Sequence, residues 1–137
     1  MLPLGKKILV VDDDAQMREA ISSILIKIGF KKIVTAESAA DAKQLLTKAY
    51  DEKDPFDLVL SDHHMPGNTG LDFISYVRAS LRFKDLGFIT ITSDAQRSVV
   101  LPHISAGADA YIVKPVNEKD LQAKITQVWT KRGVIPK

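Results

Sequence analysis

The 137-residue chain contains no cysteine. That excludes disulfides, cysteine-ligated zinc, thiol nucleophiles and cysteine-bound iron–sulfur clusters, and it is compatible with a reducing compartment. Long apolar runs are missing too. The longest stretch without Asp, Glu, Lys or Arg is Ser98–Ala108, far short of the ~20 apolar residues a membrane-spanning helix needs. The opening residues, Met1 to Lys7, lack the charged-then-apolar order and the small-residue cleavage site of a secretory signal. Charge of one sign is scarce, since 19 Lys and Arg against 17 Asp and Glu leave only +2. The bases fall in scattered pairs, Lys6-Lys7, Lys31-Lys32 and Lys131-Arg132, which read as solubilising rather than as a nucleic-acid patch. No repeat or low-complexity segment is present. The expectation is a cytoplasmic protein with no membrane insertion and no nucleic-acid partner.

What is there is ordinary globular material, 45% hydrophobic and 26% charged. The length predicts one domain over residues 1–137, with a core over about residues 6–130 and a short tail at 131–137. Ile8-Leu9-Val10-Val11 is an unbroken apolar run, as expected of a strand covered on both faces. Further runs at Ile33-Val34, Leu58-Val59-Leu60, Phe88–Thr92 and Tyr111-Ile112-Val113 predict four more strands. Between them lie helical stripes: Met17, Ile21, Ile24 and Ile28 before a stop at Gly29; Ala42, Leu45, Leu46 and Ala49; Leu71, Ile74, Val77 and Leu81; Val99, Val100 and Ile104; and Leu121, Ile125 and Val128. Ser38 with Asp41, and Asn117 with Asp120, have the spacing of helix caps, and Asp51–Pro55 reads as a polar loop. Strict alternation implies an α/β fold, a five-stranded parallel sheet with helices on both faces, doubly wound.

Ligands of such sheets sit beyond the carboxyl ends of the strands. The polar residues there are Asp12, Asp13 and Asp14 after the first strand, Asp62 after the third, Thr92-Ser93 after the fourth and Lys114 after the fifth. Three neighbouring carboxylates repel, at about 4 kcal/mol per pair for ~4 Å and an effective dielectric of ~20. They call for a lysine, a raised pKa or a hard divalent cation, and an oxygen-only donor set suits Mg²⁺ or Mn²⁺ rather than zinc. A carboxylate nucleophile, a cation site, a lysine and a hydroxyl donor together describe phosphoryl transfer onto aspartate. Taken alone, the acidic triplet is no more than a favourable helix start, and Asp14 is expected to serve as that cap. Trp129 reads as packing. Adjacent imidazoles at His63-His64 point apart and do not make a zinc site.

The run Ile8–Asp14 (ILVVDDD), the segment Asp57–Gly70 (DLVLSDHHMPGNTG), Thr92-Ser93 and Lys114-Pro115 resemble the receiver domain of two-component response regulators. The resemblance extends roughly from Lys6 to Trp129, and Met17-Arg18 with Leu25–Phe30 (LIKIGF) is similar to the single-domain CheY-like group. It implies that Asp62 accepts a phosphoryl group from a histidine kinase or phosphotransfer protein. Asp12, Asp13 and Asp62, with the backbone carbonyl of His64, would hold Mg²⁺. Thr92 and Lys114 would contact the phosphoryl group, with Thr92 and Tyr111 as the switch pair. A downstream output protein would read the face made by the fourth helix, fifth strand and fifth helix. On this reading the protein is a stand-alone chemotaxis-type or phosphorelay signalling switch rather than an enzyme on external substrates, with slow autodephosphorylation resetting it. The chain leaves only Lys131–Lys137 after the fifth helix, no room for a DNA-binding output domain.

Departures from the family pattern are His63-His64, Ser93 where Ala or Gly is commoner, Asn68 and Thr69 in the loop, and Pro102 within the predicted fourth helix. His64 borders the place of the attacking water, which suits it to tune dephosphorylation. Ser93 would crowd the phosphoryl pocket or add a hydrogen bond. Pro102 costs about 3 kcal/mol inside a helix unless that helix starts late or kinks. Two other functions compete. A Mg²⁺-dependent phosphatase with an aspartyl-phosphate intermediate is disfavoured because His64, not Asp, stands two after Asp62; an inactive interaction module is disfavoured by the complete acidic set.

Overall fold

Apolar and amphipathic segments alternate along the chain and form elements in the same order. A computed structural model describes residues 2–63, 70–93 and 96–136, without the side chains of Arg97 and Ser98. The strands are β1 (Lys7–Val11), β2 (Lys32–Ala36), β3 (Leu58–Asp62), β4 (Gly87–Thr92) and β5 (Ala110–Val113). The helices are α1 (Ala15–Ile28), α2 (Ala39–Asp51), α3 (Gly70–Ala79), α4 (Arg97–Ala106) and α5 (Glu118–Lys131).

All pairings are parallel, in the order β2-β1-β3-β4-β5. The sheet therefore runs outward in one direction from β1 to β2, and in the other from β1 through β3 to β5. That reversal opens a crevice at the carboxyl ends of β1 and β3. Register aligns Ile8 with both Ile33 and Leu58, Leu58 with Gly87, and Ile89 with Ala110.

Because side chains alternate across a strand, both faces of the central strands are apolar. Ile8, Val10, Leu58, Leu60, Ile89 and Ile91 pack against Ile21 and Leu25 of α1 and Leu121, Ile125 and Trp129 of α5. Leu9, Val11, Val59 and Phe88 pack on the other side against α2 and α3, through Ala42, Leu46, Phe73, Ile74 and Val77. Trp129 is a packing residue: it is fully buried, meets Phe30 edge-on at 5.8 Å, and its indole N–H donates to the Asp57 carbonyl at 3.3 Å.

The caps form as the spacing predicts. Backbone N–H groups of Gln16, Asp41 and Asp120 donate to Asp14, Ser38 and Asn117, and α1 stops at Gly29, whose φ of 123° suits glycine. Several expectations need correcting. Leu81 does not extend the apolar stripe of α3; that helix ends at Ala79 and Leu81 is 86% exposed. The helical spacing continued by chance into a surface turn. α2 runs through Asp51, so the polar loop begins later. α4 does not start late: it begins five residues ahead of Pro102, which lies inside it. Arg132 is not merely solubilising. Its Nε and Nη2 donate to the two oxygens of Asp109, each at 2.8 Å.

Candidate functional site

The acidic residues reach the crevice because the strands that carry them are neighbours. The Asp12 N–H donates to the Ala36 carbonyl at 3.1 Å, extending the β1–β2 ladder by one step. Asp62 is the last residue of β3 rather than the first of the following loop. The Lys114 N–H donates to the Thr92 carbonyl at 2.7 Å, extending the β4–β5 ladder in the same way. Three carboxylates and one lysine thus line up at one edge of the sheet.

One ligand oxygen from each of Asp12, Asp13 and Asp62 lies within 4.8 Å of the others, with Asp12 and Asp62 buried and Asp13 exposed. The Lys114 ammonium donates to Asp12 Oδ2 and Asp62 Oδ1, each at 3.4 Å. Among the described residues one lysine faces three carboxylates, which when charged repel by about 3–4 kcal/mol per pair at that spacing and an effective dielectric of ~20. Burial pushes the Asp12 carboxyl above its ordinary value, and the charge of Asp62 pushes the same way. The Asp14 N–H, which donates to Asp12 Oδ1 at 2.9 Å, and the Lys114 ammonium oppose this. A hard divalent cation held by three carboxylate oxygens fits the donor chemistry and the charge deficit.

Thr92 ends β4 with 1% exposure. By alternation it follows Phe88 and Thr90 toward α3 and α4, whereas Asp62 follows Leu58 and Leu60 toward α1 and α5. Tyr111 is half-buried in β5, with the Lys124 ammonium 5.8 Å from its ring centre. Ser93, just after β4, is exposed. His64, Asn68 and Thr69 lie outside the described residues.

Sequence reasoning missed four contributors. The Arg18 guanidinium donates to the Asp12 carbonyl at 2.7 Å and steadies the turn that carries the acidic pair. Gly70 donates its N–H to the His63 carbonyl at 3.0 Å, and a Cβ there would lie 2.7 Å from both the Asp62 carbonyl and the His63 Cα. Only a glycine lets α3 start so close to Asp62. His63 Nδ1 stands 3.8 Å from Asp62 Oδ1, and the His63 ring meets that of His103 from α4 at 5.7 Å, nearly edge-on at 75°. Gly70 was visible only as turn composition. Arg18 and His103 bear no local mark of a role, because what assigns it is a neighbour in another element; His63 stood out only as a departure beside Asp62, and its contact with α4 was not legible.

These features define a doubly wound α/β protein with an acidic, lysine-bridged crevice at its strand-order reversal. The model of the response regulator receiver domain matches residues 8–126. The chain is 34% identical over 122 residues to a chemotaxis protein CheY homolog of Campylobacter jejuni, covering 89% of this chain and 91% of that protein. It is also 34% identical over 123 residues to the chemotaxis protein CheY of Pseudomonas aeruginosa, covering 90% and 95%. The structure of the chemotaxis response regulator CheY4 of Vibrio cholerae superposes with a TM-score of 0.80 at 28% identity, over 90% of this chain and 98% of that one. The protein belongs to the response regulator receiver domain family. Among the described residues, no helix is long and apolar enough to cross a membrane.

Proposed function

We propose that this protein is a cytoplasmic, phosphorylation-dependent switch of the CheY type, with residues 1–137 acting as one receiver domain and Asp62 as the phosphoacceptor. The observation that carries the reading is the convergence of Asp12, Asp62 and Lys114, the outer two of which are 102 positions apart in the chain. Bacterial relatives named as chemotaxis proteins support a place in chemotaxis signalling.

Asp12, Asp13 and Asp62, with the carbonyl of His64, would hold Mg²⁺ or Mn²⁺. Such a cation neutralises carboxylate charge and stabilises the oxyanion charge of phosphoryl transfer when bound. Asp62 supplies the nucleophilic oxygen. A histidine kinase or phosphotransfer protein supplies the phosphoryl group: the bond from phosphorus to the donor nitrogen breaks as the bond to the carboxylate oxygen forms. Lys114, already directed at Asp62, balances charge on the transferred group. Thr92 donates its hydroxyl to a phosphoryl oxygen and Tyr111 follows it inward, which biases the α4–β5–α5 face between two arrangements. Leu101, Ile104 and Val113 are exposed on that face at 45%, 38% and 38%, and suit it to an output protein. Slow hydrolysis of the acyl phosphate resets the switch, and no external substrate is turned over.

The test is labelling with acetyl phosphate or a phosphorylated histidine kinase in Mg²⁺. The expected product is an alkali-labile acyl phosphate on Asp62, absent from Asp62→Asn. Labelling of that variant at the wild-type rate would sink the reading.

A further inference from the structure

α4 is held loosely by its own sequence. Gln96 provides no side-chain cap, Pro102 removes a backbone donor from the interior, and Leu101 and Ile104 face outward. His103 fastens it inward on the side of the acidic crevice. His103 is 6% exposed, and its Nδ1 lies 2.9 Å from the Val99 carbonyl one turn earlier. Because a carbonyl only accepts, Nδ1 carries the hydrogen and donates. That bond fixes the ring on the helix backbone. The other nitrogen, Nε2, is buried without a hydrogen-bond partner among the described residues. The ring meets the edge of His63, whose Nδ1 stands 3.8 Å from the Asp62 carboxylate.

We propose that His103 is a positioning residue that couples α4 to the state of Asp62 through its ring contact with His63. This rests on Asp62 being the phosphoacceptor. A group attached to Asp62 adds volume and negative charge beside the His63 ring, which must rotate or shift to accommodate it. The His103 ring packs against that of His63, so a shift of His63 toward α4 is passed to His103. His103 cannot absorb the motion by turning about its own side-chain bonds without breaking its bond to Val99. The displacement therefore passes to the helix. Coupling of this kind is reciprocal, so whatever clamps α4 also biases the His63 ring and the acyl phosphate beside it.

The experiment follows backbone amide shifts by NMR in wild type, His103→Leu, His63→Leu and the double variant, with beryllofluoride and Mg²⁺ as the phosphoryl mimic. In wild type, amides around Asp62 and along α4 both respond. In each single variant the α4 response is expected to fall roughly fivefold relative to the response around Asp62. The double variant should lose no more than either single variant, since both changes break one link. Thermal melts and the unliganded spectra separate this from loss of fold, which would diminish both responses together. An α4 response of wild-type amplitude in His103→Leu overturns the inference, as do losses that add in the double variant. No response around Asp62 in the wild type would instead overturn the phosphoacceptor reading itself.

Discussion

At the carboxyl end of the sheet three carboxylates share one lysine; at the amino end one carboxylate is shared by three cations. Among the described residues, Lys114 is the one lysine or arginine paired with this group, at 3.4 Å from both Asp12 and Asp62. Asp109, just ahead of β5, receives Arg132 at 2.8 Å on both oxygens, Arg78 at 3.1 Å, Lys131 at 3.4 Å and the Phe88 N–H at 3.0 Å, with its own side chain 1% exposed. Arg78 also donates to the carbonyls of Lys84, Leu86 and Gly107, so the cluster ties α3, β4, β5 and α5 together. Burial alone would raise the Asp109 carboxyl, but hydrogen bonds from Arg132 and Phe88 and the charges of both arginines hold it below its ordinary value. Asp12 shifts the other way. One end is satisfied and holds the fold; the other is left in deficit and is ready to take up positive charge. Proteins store such unfavourable arrangements where they act.

The contrast is broken most severely by Asp109→Ala, which strands two arginines. Unfolding in urea should show a loss of about 3 kcal/mol, and a loss below about 1 kcal/mol would mean that the amino-end cluster does not hold the fold. Next comes Asp13→Ala, which removes one of the three carboxylates proposed to hold the cation. Calorimetric titration should show Mg²⁺ affinity falling about tenfold, whereas unchanged binding would take Asp13 out of the site. Asp62→Asn relieves repulsion. In Mg²⁺-free buffer it should leave stability unchanged or raise it by up to about 1 kcal/mol, and a large loss would make the crevice a structural cluster like the other.

The smallest effect is on acid unfolding. With its pKa below the unfolded value near 3.9, Asp109 contributes stability that is full above that value and is lost as pH falls through the folded pKa. Asp12, with its pKa raised, binds its proton more tightly when folded, so its contribution becomes more favourable as pH falls from above the raised value toward about 4. Asp109→Asn should therefore flatten the acid limb of the stability curve and Asp12→Asn steepen it. Identical slopes in both variants would erase the difference between the two ends.

Much of this was legible in the chain. Unbroken runs such as Ile8–Val11 and the caps at Ser38 and Asn117 record local preferences, which depend on neighbours one to four residues away. The carboxylates and lysine were found because strand ends in a doubly wound sheet meet at one edge. The amino-end cluster was invisible by the same logic. Arg78, Asp109 and Arg132 lie beside the apolar stripe of α3, in a turn and in a tail, where charged residues are expected, and nothing local distinguishes them from solvated ones. Leu81 failed in the opposite sense, since periodicity has no means of sensing that a helix has ended.

The order of apolar runs, set by side-chain period and burial, determined the elements, the sheet and the acidic edge. Tertiary structure decided which charges are compensated and which are not. Electrostatic balance depends on distances between atoms tens of residues apart, and those distances exist only once the sheet has brought Lys114 to Asp12 and the arginines to Asp109.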